Sequence, residues 1–217
     1  MVLVVGHRAN TPRWIRRYLR EGADGLEVDV YQRGKSVYVS HVMPSRRPRL
    51  LRERVADFLA SLHVTPAHRL RDLVRLIPKD TALLVDLKTR VEPAALRDEI
   101  GFSGRGPLEV FVSTRWHVDA PRLREHGFHV LLSLDNRPSS LAKLLDDAAR
   151  ADGVSINHVY VDEDLVREAR SVGWIVAAWS VNQPDEAERM QRLGVDMIIT
   201  DFPGDIGRRV KGHQHKV

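Results

Sequence analysis

Eight short apolar runs, separated by stretches of helical periodicity, constrain the fold of this 217-residue chain more than any other feature. The runs fall near residues 2–5, 25–30, 82–88, 108–113, 129–134, 153–156, 174–179 and 196–200. Between them the spacing predicts helices near 12–21, 68–77, 93–100, 117–126, 138–150, 162–172 and 184–193. Runs this short and this rich in Val, Ile and Leu read as strands buried on both faces. Alternation with helices makes those strands parallel, each joined to the next by a crossover. Eight such units in about 200 residues predict an α/β chain closed as a (β/α)8 TIM barrel. The alternative, an open doubly wound sheet, places a glycine-rich phosphate turn after its first strand. Gly6-His7-Arg8-Ala9-Asn10 does not supply one. Residues 36–40 form an additional strand, expected to hairpin onto 25–30 through Arg33-Gly34-Lys35.

Barrels of this kind carry their chemistry at the C-terminal ends of the strands. Polar residues recur there: His7 and Arg8 after the first run, Glu27 and Asp29 in the second, Asp86 and Lys88 in the third, Trp179 in the seventh, Asp201 after the eighth. His41 ends the extra strand. Residues two apart in a strand share a face, so Glu27 projects with Asp29 and Asp86 with Lys88. Leu26, Val28 and Val30 demand burial on the opposite face, which argues against a solvated edge. Neighbouring buried carboxylates repel and are costly to ionise. A hard divalent cation, Mg²⁺ or Ca²⁺, relieves both penalties through oxygen ligands. Two histidines titrating near neutrality and two strand-end cations complete the parts of a metal-assisted phosphate site. Trp179 reads equally as core packing or as a wall of that site. Asp201 is expected to cap the last loop or to orient Arg8 or Lys88.

Cysteine is absent, which excludes disulfides and thiolate metal centres. No apolar run approaches the ~20 residues of a membrane helix, and no secretory leader is visible, so a cytoplasmic location is expected. The net charge is +5, and only six of the 34 basic residues are lysines. That balance reads first as an arginine-rich genome or a heat-adapted host; the functional alternative is affinity for anions such as phosphates, nucleic acid or acidic lipid, and no nucleic-acid motif accompanies it. One domain is expected over 1–210, with 42–67 as a basic, proline-interrupted lid and 211–217 as a flexible tail. The oligomeric state is not written in the sequence.

An ordered set of motifs resembles the glycerophosphodiester phosphodiesterases. It comprises Gly6-His7-Arg8, Gly25-Leu26-Glu27-Val28-Asp29-Val30, His41, Val85-Asp86-Leu87-Lys88, Ala178-Trp179-Ser180-Val181-Asn182 and Gly194-Val195-Asp196 running on to Thr200-Asp201-Phe202-Pro203. The resemblance implies a barrel of the phospholipase C-like phosphodiesterase type that hydrolyses small glycerophosphodiesters to glycerol phosphate and an alcohol. It implies His7 and His41 as the acid–base pair and Glu27, Asp29 and Asp86 as ligands of Mg²⁺ or Ca²⁺. It further implies Arg8 and Lys88 as phosphate contacts and Trp179 as an aromatic wall beside the glycerol. Lysophospholipids or another phosphodiester are the alternative substrates, and a non-catalytic basic barrel binding anions or nucleic acid is the alternative class. The sequence departs from the family pattern in three places. The glutamate that usually follows the His-Arg pair is missing, Asp86 replaces a glutamate, and Val42 follows the second histidine in place of aspartate. The family's inserted subdomain is reduced to 42–67.

Overall fold

A computed structural model describes residues 2–41, 68–101, 110–139 and 151–212 of the chain. In chain order the elements are β1 (Leu3–Gly6), α1 (Pro12–Arg20), β2 (Gly25–Arg33), β3 (Ser36–Val39), β4 (His68–Arg69), α2 (Leu70–Val74), β5 (Ala82–Leu87) and α3 (Pro93–Gly101). They continue as β6 (Val110–Thr114), α4 (Ala120–Glu125), β7 (His129–Leu134), β8 (Gly153–Asn157), α5 (Glu163–Ser171), β9 (Ile175–Trp179), α6 (Pro184–Leu193), β10 (Met197–Thr200) and α7 (Pro203–Gly212). Strands β1, β2, β5, β6, β7, β8, β9 and β10 pair in parallel, and the β1–β10 and β1–β2 ladders close the ring. This is a (β/α)8 barrel. The hairpin onto β2 is also present: β3 runs antiparallel to the last four residues of β2, beyond the part that pairs with β1.

Strand alternation sorts the core into two shells. Val4, Leu26, Val28, Val85, Val112, Val130, Val154, Val176 and Ile198 face outward and are buried under the helices. Val5, Leu84, Leu131, Ala177, Met197 and Ile199 face inward and fill the barrel. These side chains plug the lower layers of the interior. Helix starts follow local chemistry. The Thr11 side chain accepts from the Trp14 N–H ahead of Pro12, and Asp162 accepts from the Leu165 N–H. Helix α6 stops at Gly194, whose φ of +82° suits glycine. Gly6 has a packing reason instead, since a Cβ there would lie 2.5 Å from Tyr18 Cδ2. The bare backbone lets α1 settle against β1 directly below the mouth.

Three expectations need correction. Residues 68–69 form a strand rather than the start of a helix, because they pair with Tyr38 and Val39 and because Arg69 is anchored to the buried Glu99. The helix that follows spans only Leu70–Val74. Helix α7 was not anticipated, since Gly204, Gly207 and Gly212 depress its propensity. Burial of Ile206 and Val210 outweighs that penalty. The helix includes Lys211 and Gly212, so the first two residues of the expected tail are ordered, with Lys211 Nζ 2.7 Å from Asp24 Oδ1. The lid at 42–67 and the core of the helix at 138–150 lie outside the described residues. Among those that are described, no helix is long and apolar enough to cross a membrane.

Candidate functional site

A cavity of about 150 Å³ opens at the C-terminal mouth. His7, Arg8, Glu27, His41, Asp86, Lys88 and Trp179 all reach it, with Leu84 and Ile199 as its floor. The placements follow from register. In β2 and β5, Glu27, Asp29 and Asp86 occupy inward positions, and Asp29 is level with Asp86 across the ladder. His7 sits one residue past β1, where its N–H donates to the Thr200 carbonyl at 2.8 Å. His41 arrives by the hairpin, held where the Ser40 N–H donates to the Asp29 carbonyl at 3.0 Å. Arg8 takes φ +53°, an uncommon conformation for a side-chain-bearing residue. That turn aims its N–H at Glu27 Oε2, 2.6 Å away.

Each histidine is oriented by a carboxylate. His7 Nδ1 lies 2.8 Å from Asp201 Oδ1, and His41 Nδ1 lies 3.1 Å from Asp29 Oδ2. Nδ1–H donating to the acid assigns the same tautomer to both rings and leaves each Nε2 available to a ligand. Asp201 is itself braced. The Asn182 Nδ2 donates to Asp201 Oδ2 at 2.7 Å, while Asn182 Oδ1 accepts from the Asp201 N–H and from Thr200 Oγ1. Asp201 therefore orients His7, and its described contacts are not with Arg8 or Lys88 as the sequence suggested. Burial pulls the His7 imidazole below its ordinary value, and Asp201 only partly offsets this.

The acids form a tight cluster. Glu27, Asp29 and Asp86 each offer an oxygen, and the three atoms lie within 4.8 Å of one another. Glu27 and Asp29 are 4% and 1% exposed. Lys88 Nζ is 2.7 Å from Asp29 Oδ1 and also contacts Asp86 Oδ2. Burial penalises the Asp29 charge, but Lys88, Asn10 and His41 outweigh it and hold the carboxyl below its ordinary value. Lys88 is likewise raised, because the two aspartates overcome its burial. Glu27 goes the other way. Burial, then the charges of Asp29 and Asp86, push its carboxyl well above the usual range. Three carboxylates against the Lys88 ammonium and the Arg8 guanidinium, whose Nε lies 4.0 Å from Asp29 Oδ2, leave an excess of negative charge at the site. The donor set, oxygens only and two of its members buried, fits a hard divalent cation such as Mg²⁺ or Ca²⁺.

Sequence reasoning passed over several residues. Asn10 Nδ2 donates to Asp29 Oδ2 at 2.7 Å and Asn10 Oδ1 accepts from the Asp29 N–H at 2.9 Å, so one side chain fixes both ends of that aspartate. Its signal was present, an amide two residues past the His-Arg pair. Asn182 carried a similar signal in the Trp-Ser-Val-Asn stretch. Ser113, Ser133, Ser155 and Arg115 also line the cavity, and nothing in their local sequence marks them. Trp179 reaches the cavity and also packs against the inner core cluster. Asp24 accepts from the Val4 N–H at 2.9 Å, far below the mouth.

Residues 108–205 match the family model described as the Glycerophosphoryl diester phosphodiesterase family. YhdW of Bacillus subtilis (strain 168) is 26% identical over 145 residues, which cover 64% of this chain and 58% of that protein. A glycerophosphodiester phosphodiesterase of Arabidopsis thaliana is 42% identical over 50 residues, 23% of this chain and 15% of its own length. The alignments thus span less than two thirds of either relative. Among solved structures, a phosphodiesterase from Oleispira antarctica in complex with the product sn-glycerol-3-phosphate superimposes with a TM-score of 0.76 at 18% identity, covering 96% of each chain. A glycerophosphodiester phosphodiesterase from Thermotoga maritima gives 0.71 at 19% identity, covering 96% of this chain and 98% of that one. At these identities the structures establish the shared barrel.

Proposed function

We propose that this chain, whose residues 108–205 match the glycerophosphoryl diester phosphodiesterase family model, hydrolyses glycerophosphodiesters to glycerol phosphate and an alcohol. The observation that carries the reading is the convergence on one cavity of two carboxylate-oriented histidines and a three-carboxylate cluster. Glu27, Asp29 and Asp86 would hold a divalent cation, which when bound neutralises phosphate charge and polarises the phosphoryl group. Arg8 and Lys88 would face the phosphate oxygens, Arg8 by a forked grip and Lys88 as a point charge. Their attraction strengthens in the low dielectric of a plugged barrel. His7 and His41 would exchange protons through Nε2, one accepting from the nucleophile and the other donating to the leaving alkoxide. Asp201 and Asp29 would hold the two rings in the required tautomer and steady the imidazolium that forms. Trp179 would give the glycerol carbons an apolar wall.

The test is direct. Purified protein with Mg²⁺ or Ca²⁺ should release glycerol phosphate from glycerophosphocholine, glycerophosphoethanolamine or glycerophosphoglycerol, and a chelator should stop it. Salt-sensitive binding of nucleic acid without turnover would favour the basic binding module instead.

A further inference from the structure

The cavity has two unlike halves. Acids, histidines, Arg8 and Lys88 come from β1, β2, β5 and the β3 hairpin. The opposite wall is built by β6, β7 and β8, and strand alternation places one serine on it from each: Ser113, Ser133 and Ser155. Register sets Ser113 level with Asp86, and sets Ser133 level with Ser155 two residues further toward the mouth, since Ser113 pairs with Leu131. Ser113 and Ser155 are 2% and 3% exposed. Among the described residues none of the three hydroxyls has a hydrogen-bond partner. All three serines line the cavity, so their hydroxyls are open to pairing with a bound ligand. Arg115 stands above the row on the mouth. Its Nη2 meets Asp135 Oδ1 at 3.2 Å, and both side chains are half-exposed. Guanidinium has five N–H donors, so one contact leaves others free for a ligand.

We propose that Ser113, Ser133, Ser155 and Arg115 form the subsite for the leaving alcohol and select a polyol over a quaternary ammonium. The inference rests on the phosphodiesterase reading above. With the phosphate at the acid side and the glycerol carbons against Trp179, the second ester arm points toward β6–β8. A polyol can satisfy the serine hydroxyls and accept from Arg115. A trimethylammonium group can do neither, and it meets a like charge at the rim. Specificity then comes from paired hydroxyls on one ligand and from repulsion against the other.

The experiment compares kcat/KM for glycerophosphoglycerol, glycerophosphoinositol and glycerophosphocholine under one metal condition. The wild type should favour both polyol esters by roughly tenfold or more, the scale of one hydrogen bond to a charged group. Arg115→Met should erase most of that preference, and Arg115→Glu should raise the choline ester above its wild-type rate. A gain of function of that kind cannot come from misfolding. Ser113→Ala with Ser155→Ala should lower the polyol esters alone, with the melting temperature unchanged or raised. A choline preference in the wild type, or equal losses on all three substrates in the variants, would overturn the subsite and leave the phosphodiesterase reading standing. Absence of turnover on every diester with Mg²⁺, Ca²⁺ or Mn²⁺ would overturn both.

Discussion

Asp201→Asn isolates the contribution of the acid behind His7. In the native protein Asp201 offers one oxygen to His7 Nδ1 at 2.8 Å and the other to Asn182 Nδ2 at 2.7 Å. Asparagine keeps the shape but has one carbonyl oxygen for two donors, and its amide nitrogen must face one of them. Losing a hydrogen bond to a charged partner costs about 1.5–3 kcal/mol when dry. The Asp201 side chain is 42% exposed against 15% for His7, so solvent screens part of this. A discounted range of about 1–2 kcal/mol corresponds to a loss of roughly 5–30-fold in kcat/KM at 1.4 kcal/mol per decade. The pH profile adds a sign. Burial already lowers the His7 pKa, and Asp201 is the main influence raising it. Removing that negative charge must lower the pKa further. The limb of kcat/KM that vanishes in His7→Ala should therefore move to lower pH in Asp201→Asn. The assay is initial-rate hydrolysis of a glycerophosphodiester from pH 5 to 9, as roughly one unit steps around histidine's ordinary value. An unchanged rate, or a limb displaced to higher pH, would refute the assignment of Asp201 as the orienting acid.

Three further outcomes are expected. His7→Ala and His41→Ala should each reduce kcat by about 100-fold or more, with circular dichroism melts close to wild type; near-normal turnover would remove that histidine from the chemistry. Glu27 carries a raised pKa, so the folded state binds its proton more tightly and this contribution to stability is lost as pH rises through the folded value. A cation replacing the proton should restore it: at pH 8 and 100 times its dissociation constant, Mg²⁺ or Ca²⁺ should add about 2.7 kcal/mol, or roughly 5–10 °C in melting temperature, and Glu27→Gln should lose most of that gain. Glu99→Ala should cost about 2–4 kcal/mol, because the carboxylate, 1% exposed, binds Arg69 at 2.6 Å and Arg71 at 2.8 and 2.9 Å; a denaturation midpoint equal to wild type would mean those ion pairs are fully screened.

The sequence by itself determined the order of strands and the inward set on each, because side chains alternate with a period of two and a barrel plugged by Val5, Leu84 and Leu131 cannot tolerate a shift of one residue. Glu27, Asp29, Asp86 and Lys88 were legible for that reason: acids and a cation within apolar runs have only one direction in which their charge can be accommodated. His7 and Arg8 were legible as the residues delivered by β1. What the sequence left open were partners far along the chain. Asp201 reaches His7 only because β10 closes against β1, 194 positions away in sequence. The same closure made Asp201 a support for the histidine instead of for Arg8 or Lys88. Helix α7 and the β3–β4 ladder were hidden because tertiary burial of Ile206 and Val210, and of Glu99 between two arginines, overrode weak local propensity. The serine wall and Arg115 were invisible for a related reason. A serine in a strand carries no signal about which neighbours it faces, and only ring closure decides that three of them look across one cavity at three carboxylates.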